Sequence, residues 1–103
     1  MTPPYILTQG AAGDLRSIVN YTNDNWGREK CLSYVAKIEA AACDVALGRG
    51  RYAQRDDLLP GLRVRRTGRH YIFCLPQPDQ PAFILAILHE RMDILARLKT
   101  RLD

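Results

Sequence analysis

The sequence predicts an α+β fold: an N-terminal strand, a two-helix antiparallel hairpin packed on a mostly antiparallel sheet (β-α-α-β-β-β), and a short C-terminal helix. Three observations carry that prediction. Apolar residues recur at helical spacing through the first half of the chain. Two-residue alternation and one continuous apolar run replace that spacing in the second half. Glycine and proline clusters fall at the joins between these stretches.

"PPYILT" opens the chain, with prolines leading into a strand over Tyr5 to Thr8. Thr8 is placed to cap the helix that follows, its hydroxyl accepting an orphan amide of the first turn. Leu15, Ile18, Val19, Thr22 and Trp26 form one stripe of that helix, while Gly10 and Gly13 weaken its start. "NWG" punctuates, because Gly27 can take a conformation that ends a helix. A second helix runs from Arg28, with Cys31, Val35, Ile38, Ala42 and Val45 stepping by fours and threes, until Gly48 and Gly50 stop it. Residues Arg49 to Pro60 read as a loop. "LRVRR" then alternates Leu62 and Val64 against Arg63 and Arg65, one buried face and one charged face. "TGR" is a turn before the strand "HYIFCL". The prolines of "PQPDQP" are expected to end ladder pairing there. "AFILAIL" is apolar throughout, as a strand buried on both faces would be. In the tail, Ile94, Leu95, Leu98 and Leu102 share one side, with Arg97, Lys99 and Arg101 elsewhere. This amphipathic helix is too short to stand alone in water.

At 103 residues the chain suits one domain, residues 1–103. Its net charge of +4 is unevenly spread. Seven arginines between Arg49 and Arg69 face only Asp56 and Asp57, a surplus of +5, so the remainder sums to −1. Twelve arginines against three lysines favour forked recognition of carboxylate or phosphate. Cys31 and Cys43 lie on one helix, roughly 18 Å apart and beyond disulfide reach. Without a CxxC motif the cysteines read as small apolar core residues in a reducing compartment, and two isolated histidines supply no metal set. No secretory signal and no membrane span is present, so a cytoplasmic protein is expected, with no cofactor.

Taken together, "DLRSIVNYTNDNWG", "GLRVRRTGRHYIFCL" and "AFILAILHERMD" resemble toxins of bacterial type II toxin–antitoxin modules in the RelE/ParE superfamily, over nearly the whole chain. The "WG" and the closing "ILHERMD" are similar to the ParE branch. That resemblance implies a poison of DNA gyrase that acts by protein–protein contact and blocks replication. It also implies a cognate antitoxin whose disordered segment folds on binding, in assemblies that can be of higher order.

Within the same superfamily the alternative is a ribosome-dependent endoribonuclease of the RelE type. RNA cleavage needs a proton acceptor, a proton donor and cations for the phosphorane. His89 is the candidate proton-transfer group, with Arg63, Arg65, Arg66 and Arg69 as cations. Two features oppose it. No tyrosine follows Tyr71, and a helix runs on where it would crowd His89. A Glu90–His89 pair is also disfavoured, because neighbours on a strand point to opposite faces. No catalytic residue is therefore assigned. A third possibility is an inert interaction domain of the same fold. Sequence-specific DNA binding is not expected. The hairpin is no helix-turn-helix, and aromatic residues are not expected to interleave with the arginine cluster as a single-strand platform would require.

The expected target-binding residues are His89, Arg91, Met92, Arg97, Lys99 and Arg101, and deleting residues 93–103 is expected to abolish toxicity while the core survives. The expected antitoxin-binding residues are Arg63, Arg65, Arg66, Arg69 and Trp26. From its place on the stripe, Trp26 is predicted to plug the junction between hairpin and sheet; its other role would be an interface hot spot.

Overall fold

The computed structural model describes residues 3–102. In chain order it contains β1 (Tyr5–Leu7), α1 (Gln9–Trp26), α2 (Arg28–Ala46), β2 (Ala53–Gln54), β3 (Arg63–Thr67), β4 (His70–Gln77), β5 (Gln80–His89) and α3 (Ile94–Leu102). The sheet order is β1-β5-β4-β3-β2, with β1 parallel to β5 and every other neighbour antiparallel. This is the predicted α+β layout with one strand added.

Thr8 starts α1 as its side chain predicts, accepting the Ala11 N–H at 3.2 Å. The helix begins at once despite its two early glycines. Gly27, at φ +88°, separates the two helices, and its amide returns to the Asn23 carbonyl at 3.0 Å. Ala11 and Ile18 of α1, with Ile38, Ala41, Ala42 and Val45 of α2, cover Ile72, Cys74, Ala82, Ile84 and Ile87 on one face of the sheet. On the opposite face Leu62, Phe73, Ala86, Leu88 and Leu98 form a second cluster, closed over by Leu58, Leu59 and Ile94. The continuous apolar run of β5 is thus explained, because it has a core on each side.

Two expectations about the backbone are corrected. The segment predicted as loop from Arg49 to Pro60 contains β2, where Ala53 pairs with Val64 and Gln54 with Arg63. The "PQPDQP" prolines do not end the ladder either, since Leu75 pairs with Phe83 and Gln77 with Gln80. A register shift between these pairs accommodates Pro76 and Pro81. A proline at an irregularity has no ladder N–H to lose. The two-residue turn is Pro78–Asp79, with Asp79 at φ +55°, a conformation that aspartate tolerates.

The predicted plug is also corrected. Trp26, the last residue of α1, is 61% exposed, and the Lys30 ammonium lies 5.5 Å from its ring centre. The stripe ends before it because the chain turns at Gly27. All three cysteines are free; Cys31 and Cys74 are buried, and burial pushes the Cys74 thiol up to about 11. No helix among the described residues is long and apolar enough to cross a membrane.

Candidate functional site

Three groups of predicted residues lie in different places. The first is the arginine surplus around the β2–β3 edge. An open cleft of about 840 Å³ is lined there by Arg51, Tyr52, Arg55, Val64, Arg65, Arg66 and Tyr71, among others. Aromatic rings do stand among the arginines, Tyr52 between Arg51 and Arg55 in the chain and Tyr71 through the pairing of β3 with β4, which corrects the expectation that none interleave. Each is already covered, with the Arg63 guanidinium 5.0 Å from the Tyr52 centre and that of Arg66 5.6 Å from Tyr71. They are not free platforms for stacked bases.

The arginines of β3 divide by face. Arg63 and Arg65 register with Cys74 and Ile72, on the side of the helical hairpin. Arg63 donates to the Val45 carbonyl at 3.0 Å, at the negative end of α2, and Arg65 donates to the Arg51 carbonyl at 2.9 Å. Both therefore fix the chain that leaves α2. Arg66 faces the other way and shares the Glu90 carboxylate with Arg69, at 2.6 and 3.4 Å.

The second group is at the end of β5. His89 pairs across the ladder with His70, and their rings meet edge to face with centroids 5.0 Å apart. His70 Nδ1 lies 2.6 Å from the Tyr34 hydroxyl of α2. That hydroxyl accepts the Arg69 N–H at 3.2 Å, and its own proton has two acceptors within reach, His70 Nδ1 and the Thr67 carbonyl at 3.4 Å. Burial pushes the His70 pKa down to about 4, assisted by His89 and opposed by Glu90 and Asp14. Here His89 does have a second titratable group beside it, and nothing in the sequence pattern pointed to His70 or Tyr34.

The arrangement is nevertheless a poor reaction centre. The two rings are in contact, leaving no phosphate-sized gap between them. His70 Nδ1 faces Tyr34, and His89 Nδ1 accepts the Arg91 N–H at 3.0 Å. Neither histidine lines the arginine cleft. Glu90 turns away from His89 toward Arg66 and Arg69, as strand alternation predicts.

The third group is the tail. Leu98 of α3 is buried in the second cluster, and Arg101 reaches over the sheet edge to Asp14 of α1 at 2.9 and 3.0 Å. It also donates to the Leu85 carbonyl at 2.9 Å, while Asp14 accepts the Ile87 N–H at 2.9 Å. These side chains satisfy backbone groups of β5 beyond the short reach of β1. Arg101 is therefore turned inward. Removing residues 93–103 would uncover Phe73, Ala86 and Leu88, so the truncation expected to abolish toxicity would also strip the cover from one face of the sheet. Outward instead point Arg91, Arg97 and Lys99, with Met92 and Leu95 exposed by 42% and 61%. A smaller groove of about 370 Å³, lined by Leu7, Leu15 and Val19 among others, runs beside β1 and α1.

Residues 5–94 match the family described as the ParE toxin of the type II toxin-antitoxin system, parDE. "Toxin ParE" of Escherichia coli is 46% identical over 98 residues, spanning 95% of each chain. "Toxin ParE1" of Mycobacterium tuberculosis (strain ATCC 25618 / H37Rv) is 29% identical over 98 residues, covering 91% of this chain and 96% of that protein. Among solved structures, one titled "Chromosomal ParDE TA system from P. aeruginosa" superposes with a TM-score of 0.63 at 23% identity, over 85% of this chain and 98% of that one. The fold is shared with that structure, and by the extent of the family match and the relative at 46% identity, this chain belongs to the ParE toxin family.

Proposed function

We propose that this protein is the toxin of a type II toxin–antitoxin module and that it poisons DNA gyrase by protein–protein contact, without a catalytic residue of its own. The observation that carries the reading is the outward face of the 91–99 segment. Met92 and Leu95 stand exposed among Arg91, Arg97 and Lys99, on a tail anchored from beneath by Leu98 and Arg101. An apolar centre with a basic rim is the anatomy of a surface that binds an acidic protein. The choice of gyrase as that target rests on the resemblance to the ParE branch.

The cognate antitoxin is assigned the arginine-bearing edge and the outside of the hairpin. Arg51, Arg55 and Arg66 rim a cleft with Val64 and Tyr71 within it, which suits an extended segment alternating acidic and apolar residues. Arg63 and Arg65 contribute uncompensated charge while holding backbone carbonyls. The groove beside β1 and exposed Trp26 offer apolar contact on the hairpin.

The test sets the protein against gyrase with plasmid, and separately against translating ribosomes with messenger RNA. Inhibited supercoiling or stabilised DNA breaks, with transcripts intact, is the expected result. An Arg91→Glu, Arg97→Glu, Lys99→Glu variant should lose most of that inhibition while keeping its melting temperature, because all three side chains are exposed. Trimmed transcripts with gyrase unaffected would replace this reading with the ribonuclease. Inactivity in both assays would favour an inert interaction domain.

A further inference from the structure

The turn that carries Arg91 and Met92 begins where β5 leaves the sheet, and two hydrogen bonds define it. His89 Nδ1 accepts the Arg91 N–H at 3.0 Å, and the His89 carbonyl accepts the Met92 N–H at 3.0 Å. Both bonds run through one residue. A ring nitrogen serves as such an acceptor only while its lone pair is free and the ring keeps one orientation.

What orients His89 is His70, whose ring meets it at 88°. His70 is oriented in turn by the Tyr34 hydroxyl at 2.6 Å. Tyr34 itself is seated by the β3–β4 turn, where it accepts the Arg69 N–H. It can come that close because residue 68 is glycine. A Cβ there would stand 2.7 Å from the tyrosine ring, and φ is +56° besides. A continuous set of contacts therefore runs from the middle of α2 through Tyr34, His70 and His89 to the Arg91 amide. The charged and titratable groups around it are Asp14 from α1, Arg69 from the β3–β4 turn, and His89 and Glu90 from the end of β5. Glu90 braces the same turn from the opposite side, through Arg66 and Arg69.

We propose that Tyr34 and His70 are positioning residues that set the conformation in which the 89–93 turn presents Arg91 and Met92 to the target protein. Neither needs to touch the target. The proposal rests on the assignment of that turn as target-facing, and it adds that the seat of α2 on the sheet end governs how the turn is displayed.

The experiment uses the full chain with Tyr34→Phe, His70→Leu and His70→Asn. Solvent exchange of the Arg91 and Met92 amides is measured by NMR, with gyrase supercoiling assayed in parallel. Tyr34→Phe and His70→Leu should speed exchange at both amides about tenfold, the equivalent of one ordinary hydrogen bond. Core amides such as Ile72 and Ile84 should be unchanged. His70→Asn should recover part of the slow exchange, because its side-chain oxygen can replace Nδ1 as a partner for Tyr34 although no ring then meets His89, a partial rescue that simple volume loss would not give. If His70→Leu loses its core protection, Tyr34→Phe alone decides. Unchanged exchange at Arg91 and Met92 in Tyr34→Phe would overturn the proposal whatever the gyrase assay reports. Faster exchange with undiminished gyrase inhibition would leave the positioning role standing and overturn instead the assignment of the turn to the target.

Discussion

At His70 a titratable ring sits half-buried between a tyrosine hydroxyl and a second imidazole, and folding therefore favours its neutral form. Burial is the main cause, and the pKa falls to about 4 from an ordinary 6.5. Between those two values the unfolded chain binds more protons than the folded one, so stability rises with pH across that window. The contribution is complete above about pH 6.5 and is lost as the pH falls toward 4. Because the ring is partly exposed, solvent screening trims the effect to roughly 1 kcal/mol at pH 4.5. Thermal melts of wild type and His70→Asn at pH 7 and pH 4.5 check this. The wild type should lose more stability on acidification than the variant, since carboxylate titrations are common to both. Equal losses would mean that His70 is not the group responsible. The same residue shows why the sequence concealed this cluster. Tyr34 and His70 stand 36 positions apart, and only the docking of α2 on the sheet brings them together.

Among the elements, α3 is the most precariously held, and its hold is concentrated in few side chains. Leu98 is its one buried residue, and the Arg101–Asp14 pair is its tie to α1. Gly10 belongs to this arrangement, because a Cβ there would stand 2.7 Å from the Arg101 guanidinium. The helical-propensity penalty at Gly10 therefore has a packing reason. Arg101→Ala would leave Asp14 and the Leu85 carbonyl without a charged donor in a part-buried site. The expected cost is about 1–2 kcal/mol, or a fall in melting temperature of roughly 5–10 °C. Calorimetry of the variant measures it, and an unchanged transition would reduce the pair to a surface contact. At this scale much was legible beforehand, since apolar periodicity and the cap at Thr8 identified the strands and helices other than β2. What escaped prediction was set by partners distant in sequence. β2 is two residues between Tyr52 and Arg55 and acquires its identity from β3. Likewise, Trp26 keeps the helical spacing of its stripe while no element of the sheet lies opposite it.

For the molecule as a whole, the decisive asymmetry is electrostatic. Of the seven arginines between Arg49 and Arg69, only Arg55, Arg66 and Arg69 have a carboxylate partner among the described residues. Asp57 and Glu90 supply those partners, so the surplus visible in the sequence survives folding as an unneutralised edge around the cleft. Such a field steers an acidic chain toward the edge and acts mainly on the association rate, with a strong dependence on salt. The variant that tests this must not disturb the fold. Arg65 is unsuitable because it holds the Arg51 carbonyl and Arg66 because it holds Glu90, whereas the Arg49 and Arg51 side chains are exposed. Arg51→Glu combined with Arg49→Gln should slow association with an acidic antitoxin segment by about tenfold at low ionic strength. It should also flatten the fall of affinity with added salt, with little change in the dissociation rate. Stopped-flow association from 20 to 500 mM salt measures both quantities (about 20 Å of screening length at the lower end, about 4 Å at the upper). If wild type and variant associate equally fast across that range, the arginine edge does not steer the antitoxin, and recognition must lie in the apolar groove beside β1.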